Sequence, residues 1–184
     1  MSAVALVGFM AAGKSAVGSL VAQRLKVPFV DTDALIDGRE GSIPQLFATR
    51  GEEAFREIER EVVVKALDAA LREPSIVALG GGAVLSGDVR EALRRLPHVA
   101  WLTAPADVLW ARACAAASGG RPLVTDREAF GRLLAARDDL YRRVASAEVL
   151  NDGSRPLSSV ADEIADLATG AAISPIAGRR KDRT

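Results

Sequence analysis

"AVALVGFMAAGKSAVGSLVAQRL", residues 3–25, carries three patterns in one run. Residues 3–7 are short, continuous, apolar and partly β-branched, the pattern of a strand buried on both faces of a parallel sheet. Gly8 to Ser15 then spell Gly, four residues, Gly-Lys-Ser. From residue 14 to 25, Val17, Leu20, Val21 and Leu25 fall on one face of a predicted amphipathic helix. A loop of this spacing between strand and helix turns backbone N–H groups inward and adds the positive end of the helix. The expected occupant is the phosphate chain of a nucleotide. Lys14 is expected to bring a charge to the outer phosphates and the Ser15 hydroxyl to ligate Mg²⁺, while Ala11, Ala12, Gly13 and Ala16 contribute backbone. Ala11 stands where glycine is frequent, which matters only if its φ must be positive.

Outward from this run, strands alternate with helices. "PFVDTD" predicts a second strand ending in two acids, "SIVALGGG" a third running into three glycines, residues 98–102 a fourth and residues 147–150 a fifth. Helices are expected from about Ser42, with Ser42 as cap and Pro44 in the first turn, and over 52–72, 86–95, 105–116, 127–144 and 157–168. In the 52–72 segment, Phe55, Ile58, Val62, Ala66 and Ala69 are expected to form the apolar face. The alternation predicts an α/β fold: a five-stranded parallel sheet flanked by helices on both faces. Residues 1–169 read as a single domain, with a substrate-binding segment at about 33–60 and a Gly-rich lid at about 113–127. Residues 170–184 have no periodicity and are expected to be disordered.

Composition narrows the function classes. The chain has 184 residues with 24 basic and 24 acidic side chains, so no overall field favours nucleic acid or an anionic membrane. No apolar run is long enough to span a bilayer, and no basic segment precedes "AVALV", which predicts a cytoplasmic protein. One Cys and one His exclude an internal disulfide framework and a zinc site of the usual type. Cys114 and both tryptophans, Trp101 and Trp110, read as packing residues, and His98 as a surface turn residue. A GTPase would need Asn-Lys-x-Asp and Asp-x-x-Gly, and neither occurs in the chain.

A kinase for a small acceptor needs a second pocket beside the phosphate loop, together with a cover that excludes water. Asp31 and Asp33 end the second strand, and as strand residues two apart they would face the same crevice. One would serve Mg²⁺ through water and the other would meet an acceptor hydroxyl; alternatively, one caps the next helix. Arg56 and Glu59 lie one helical turn apart, either as a surface pair or as an arginine fixed for bidentate carboxylate binding. Gly80, Gly81 and Gly82 allow close approach of backbone to a ligand. Arg121 sits on the presumed lid, either solvated or reaching the transferring phosphate.

Taken together, "GFMAAGKS", "DTD", "IPQLFATRGEEAFREIE", "ALGGGAV", "RPL" and "ARDDLYRRVA" resemble the shikimate kinases over roughly residues 3–168. The resemblance implies a fold similar to nucleoside monophosphate kinases and transfer from ATP, with Mg²⁺, to the 3-hydroxyl of shikimate in aromatic amino-acid synthesis. It implies that Asp33 orients the acceptor hydroxyl, that Arg56 and Arg137 hold the shikimate carboxylate, and that Gly81 approaches the substrate through its backbone. It further implies charge stabilisation by Lys14 and Arg121, an outer-shell metal role for Asp31, adenine contacts from Arg112, Arg155 and Pro156, and a monomer. The spacing from Arg112 to Arg121 is slightly longer than the family's. The rival readings are a gluconate-type kinase and a nucleotide-binding module without catalysis.

Overall fold

The computed structural model describes residues 1–117 and 126–170. The lid residue Arg121 and the tail beyond Gly170 lie outside the described residues. Five strands, β1 (Val4–Val7), β2 (Phe29–Asp31), β3 (Ile76–Ala78), β4 (His98–Thr103) and β5 (Ala147–Leu150), form one sheet in the order β2-β3-β1-β4-β5. All its pairings are parallel, with Ala5 between Val77 of β3 and Val99 of β4. β1 is central and every residue of it is buried, which is why its sequence is apolar throughout rather than alternating.

The helices are α1 (Lys14–Leu25), α2 (Thr32–Glu40), α3 (Ile43–Arg72), α4 (Gly87–Arg95), α5 (Ala106–Ala117), α6 (Arg127–Val144) and α7 (Leu157–Thr169). α1 packs against α7, and α3 packs against α4. With right-handed crossovers, this arrangement covers both faces of the sheet. The main core joins Val4, Leu6, Val77 and Leu102 of the strands to Val17, Leu93 and Ile164 of the helices. A second, separate cluster, Ile36, Ile43, Leu46, Phe55 and Val62, lies within α2 and α3.

Several local expectations change. α3 runs as one element through Gly51, where φ of 80° and ψ of 173° interrupt the helical geometry. Ser42 precedes α3 but its side chain makes no capping bond; Asp37 Oδ1 accepts the Ile43 N–H at 2.8 Å instead. The buried face of the later part of α3 is Val63, Leu67 and Ala70, and Ala69 is exposed. Val62 serves the smaller cluster, so the helix turns different faces to two cores. Cys114 is exposed, against the packing expectation, because its face of α5 points away from the sheet. His98 is the first residue of β4, half-buried, rather than a turn residue. Trp101 is buried in β4, and Trp110 is half-buried, edge-on to Phe130.

Candidate functional site

The loop after β1, the loop after β3 and the β2–α2 junction all open at the carboxyl edge of the sheet, at the point where strand order reverses about β1. That is where open parallel sheets bind ligands. A cleft of about 680 Å³ lies there, lined by Lys14, Ser15, Asp31, Asp33, Arg56, Glu59, Gly80–Gly82 and Arg137 among others. It brings Ala11, Gly13, Lys14, Ser15 and Ala16 of the donor loop together with Asp31, Asp33, Arg56, Gly80–Gly82 and Arg137, whereas Ala12, Arg112, Arg155 and Pro156 do not line it.

On the donor side, the loop is held in a shape ordinary residues resist. Ala11 has φ of 62°, so its left-handed conformation is required here, and Gly13 has φ of 93°. Ala12 is buried, whereas Ser15 and Ala16 are exposed at the start of α1. Lys14 Nζ donates to the carbonyls of Gly8 and Phe9, each at 2.9 Å. Burial lowers the Lys14 pKa to about 8, and the opposing charges of Asp33 and Asp31 hold it from falling further.

The two acids do not share a strand face. β2 ends at Asp31, and Thr32 and Asp33 already belong to α2, because the Asp31 carboxylate caps that helix. Asp31 Oδ1 accepts the N–H groups of Asp33 at 3.0 Å and Ala34 at 3.3 Å. Both acids nonetheless line the cleft. Thr32, between them, is fully buried, and its Oγ1 accepts the Gly80 N–H at 3.1 Å. That bond fastens the acidic turn to the triple glycine.

Each glycine of the triplet makes room for a different neighbour. A Cβ on Gly80 would lie 2.6 Å from Asp33 Oδ1 and 2.7 Å from Glu59 Oε1. On Gly81 it would press the Met10 N–H of the phosphate loop at 3.2 Å, and on Gly82 it would collide with the Arg56 guanidinium. The triplet thus lets donor loop and acceptor side chains close over one another.

Arg56 donates through Nη1 to Glu59 Oε2 at 2.7 Å, and Glu59 is only 3% exposed, so the surface-pair reading of these two residues does not hold. Burial raises the Glu59 pKa, and the bond and charge of Arg56 oppose it. Burial also works against the charge on Arg56, but Glu59 and Glu52 outweigh it and keep the guanidinium ionised.

Arg137 reaches the cleft from α6. It is 7% exposed, donates through Nη1 to the Gly81 carbonyl at 3.3 Å, and its Nε has no hydrogen-bond partner. An arginine so buried and so incompletely satisfied is costly without an anion. One turn along α6, the Tyr141 hydroxyl donates to the same carbonyl at 2.6 Å, and burial raises the pKa of this phenol, which keeps its proton in place.

At the far end of the phosphate loop, Arg112 Nη1 donates to the Asn151 carbonyl at 2.7 Å, which brings α5 to the loop before α7. Arg155 pairs with Glu163 and bonds the Leu150 carbonyl, and Pro156 immediately precedes α7. Arg112 therefore lies against the loop that carries the other two adenine candidates. Sequence reading passed over Thr32, Tyr141 and Asn151. Tyr141 had a usable signal, four residues after Arg137 on one helix face. Asn151 had none, since the loop it contacts is 139 residues away.

Among the described residues no group of three or more His, Cys, Asp or Glu side chains is placed to hold a metal. Mg²⁺ does not require one: it retains waters and binds through one or two protein oxygens plus substrate phosphates. Ser15 and Asp31, which both line the cleft, fit that mode.

Residues 10–169 match the family model described as shikimate kinase. The shikimate kinase of Symbiobacterium thermophilum is 43% identical over 165 residues, covering 88% of this chain and 92% of that protein. Among solved structures, a shikimate kinase from Acinetobacter baumannii in complex with shikimate aligns with a TM-score of 0.82 at 30% identity, covering 92% of this chain and 94% of its own. A gluconokinase from Sinorhizobium meliloti aligns with a TM-score of 0.60 at 21% identity, covering 92% and 93%, a likeness of fold alone.

Proposed function

The chain belongs to the shikimate kinase family, and from that premise we propose that it transfers the terminal phosphoryl group of ATP to the 3-hydroxyl of shikimate, giving shikimate 3-phosphate and ADP. Use of ATP follows from membership of a kinase family. The observation that carries the acceptor assignment is Arg137: a buried guanidinium with an unpartnered Nε, facing the same cleft as Arg56 and Lys14. Two arginines beside a carboxylate fit a hydroxylated monocarboxylate. They bind its carboxyl group through charge-assisted bonds while Asp33 meets a hydroxyl.

In this reading Asp33 orients the acceptor hydroxyl and takes its proton as the oxygen attacks phosphorus, and the bond to the ADP oxygen breaks on the opposite side. Phosphoryl transfer depends on positioning and charge neutralisation more than on a strong base, so a carboxylate suffices. Glu59 fixes the Arg56 guanidinium, Thr32 and Tyr141 hold the glycine triplet, and Lys14 leaves its two carbonyl partners for the outer phosphates. Ser15 and Asp31 would hold Mg²⁺, which when bound supplies charge neutralisation at the phosphates. Arg112, with the Arg155–Pro156 segment, is assigned to adenine, and Arg121, outside the described residues, is assigned to the transferring phosphate by resemblance. No helix among the described residues is long and apolar enough to cross a membrane. Balanced charge and the single cysteine support action in the cytoplasm on a small molecule, and the monomer is assigned by resemblance alone.

The test is ADP release with MgATP and either shikimate or gluconate. Turnover with shikimate and none with gluconate is expected; equal turnover of both, or none with shikimate, would remove the assignment.

A further inference from the structure

A phosphate loop works only if its peptide N–H groups point into the cradle, and each N–H is tied to a carbonyl. In a trans peptide the C=O and the following N–H point in opposite directions. The Ala12 carbonyl accepts a hydrogen bond at 2.8 Å from Nδ2 of Asn151, a residue 4% exposed in the segment after β5. Asn151 is itself held at both ends of its backbone: its N–H donates to the Thr103 carbonyl at 2.8 Å, and its own carbonyl accepts from Arg112. A Cβ on Gly13 would lie 2.5 Å from the same Nδ2, so the amide is pressed against the Ala12–Gly13 peptide.

We propose that Asn151 is a positioning residue for the nucleotide: by holding the Ala12 carbonyl outward, its side-chain amide aims the Gly13 N–H at the phosphates. The geometry explains why a glycine is needed at 13 beyond its φ of 93°. It also gives this loop a support from the other end of the chain, since Ala11 and Gly13, both with positive φ, flank Ala12, whose carbonyl Asn151 grips. Thr103 at the end of β4 and Arg112 on α5 fix the grip in turn, so the aim of one loop N–H depends on three elements that follow β3.

The proposal rests on the nucleotide reading of the loop, so wild-type ADP affinity is measured first, by calorimetry, beside shikimate affinity. Asn151→Leu removes the donor at similar volume; ADP affinity is expected to fall about tenfold or more, the equivalent of one charge-free loop contact, with shikimate affinity within about twofold. Asn151→Asp separates aim from packing. An ionised carboxylate repels the Ala12 carbonyl, whereas a protonated one donates to it. The charged groups around it, Arg112 on α5, Asp152 next in the chain and Lys14 beside Gly13, are common to variant and wild type. With an ordinary carboxyl pKa of about 4 and Arg112 beside it, this carboxylate is ionised from pH 6 to 8, so ADP affinity of Asn151→Asp is expected to fall at least as far as that of Asn151→Leu. ADP affinity of Asn151→Leu within twofold of wild type, ADP affinity of Asn151→Asp within twofold of wild type, or equal losses of ADP and shikimate affinity would each overturn the proposal. If Asn151→Leu does not fold, Asn151→Asp alone decides. A wild-type protein that binds no ADP would overturn the nucleotide reading and this proposal with it.

Discussion

The two walls of the cleft stand on different foundations. The phosphate loop follows the most buried strand of the sheet, rests on the main core, and is gripped by Asn151. The wall that carries Asp33, Arg56 and Glu59 belongs to α2 and the first part of α3, packed around five apolar side chains of their own. The contact between Phe47 and Phe55, with ring centroids 4.5 Å apart, belongs to this smaller body, and the break at Gly51 falls between the two rings. The difference teaches that donor geometry is a property of the whole sheet, whereas the Asp33–Arg56–Glu59 part of the acceptor site rests on a small core of its own, with Arg137 brought to it from α6 on the main core. Thr32 and the glycine triplet are where the two are fastened.

The strongest way to sharpen this division is chemical. Asp33→Asn keeps the size of the side chain but removes the proton acceptor, and kcat is expected to fall about 10²–10⁴-fold with ADP affinity unchanged. A variant that keeps wild-type kcat would show that Asp33 only shapes the wall. The next tests the foundations. Phe55→Ala empties the small core and is expected to cost about 3–5 kcal/mol locally. Hydrogen exchange should speed up in α2 and the first part of α3 while β1 and β3 stay protected, and shikimate affinity should fall more than ADP affinity. Uniform loss of protection would merge the two bodies into one.

The smallest expected effect is on the donor wall alone. Lys14 is charged below its pKa of about 8 and neutral above it, and the phosphate chain binds the charged form. ADP affinity should therefore decline above pH 8, by at most about tenfold per pH unit since one proton is involved. Below pH 8 the Lys14 contribution should be flat, and shikimate affinity should not follow the same curve. A flat ADP curve from pH 7 to 9 would place the Lys14 titration elsewhere.

Much of this molecule is legible in its order of residues, for reasons that are local. The continuous apolar strand, the Gly-Lys-Ser loop and the α1 face lie within 23 neighbouring residues, and periodicity and turn chemistry act at that range. Asp33 and the triple glycine are equally legible because they sit at the ends of elements whose type could be read, and Arg56 because it stands one helical turn from Glu59 within α3. Of the two readings of the acids, the helix cap is the one the structure takes: Asp31 caps α2 and ends the strand two residues earlier than alternation through Asp33 suggests, though both acids still line the cleft. The capping role given to Ser42 failed for a related reason: Asp37, six residues before Ile43, reaches the same N–H.

By itself, then, the sequence determined a parallel α/β sheet with a phosphate loop on its first strand, because burial on both faces and the spacing of glycines are written in contiguous residues. Only the tertiary structure decided which wall each side chain serves. It buried Glu59 beneath Arg56 and left the Arg137 Nε unpartnered at the cleft. It also set Asn151 against a loop 139 residues away. These are contacts between segments that share no local pattern, and burial turns them from ordinary polar residues into costly, directional ones.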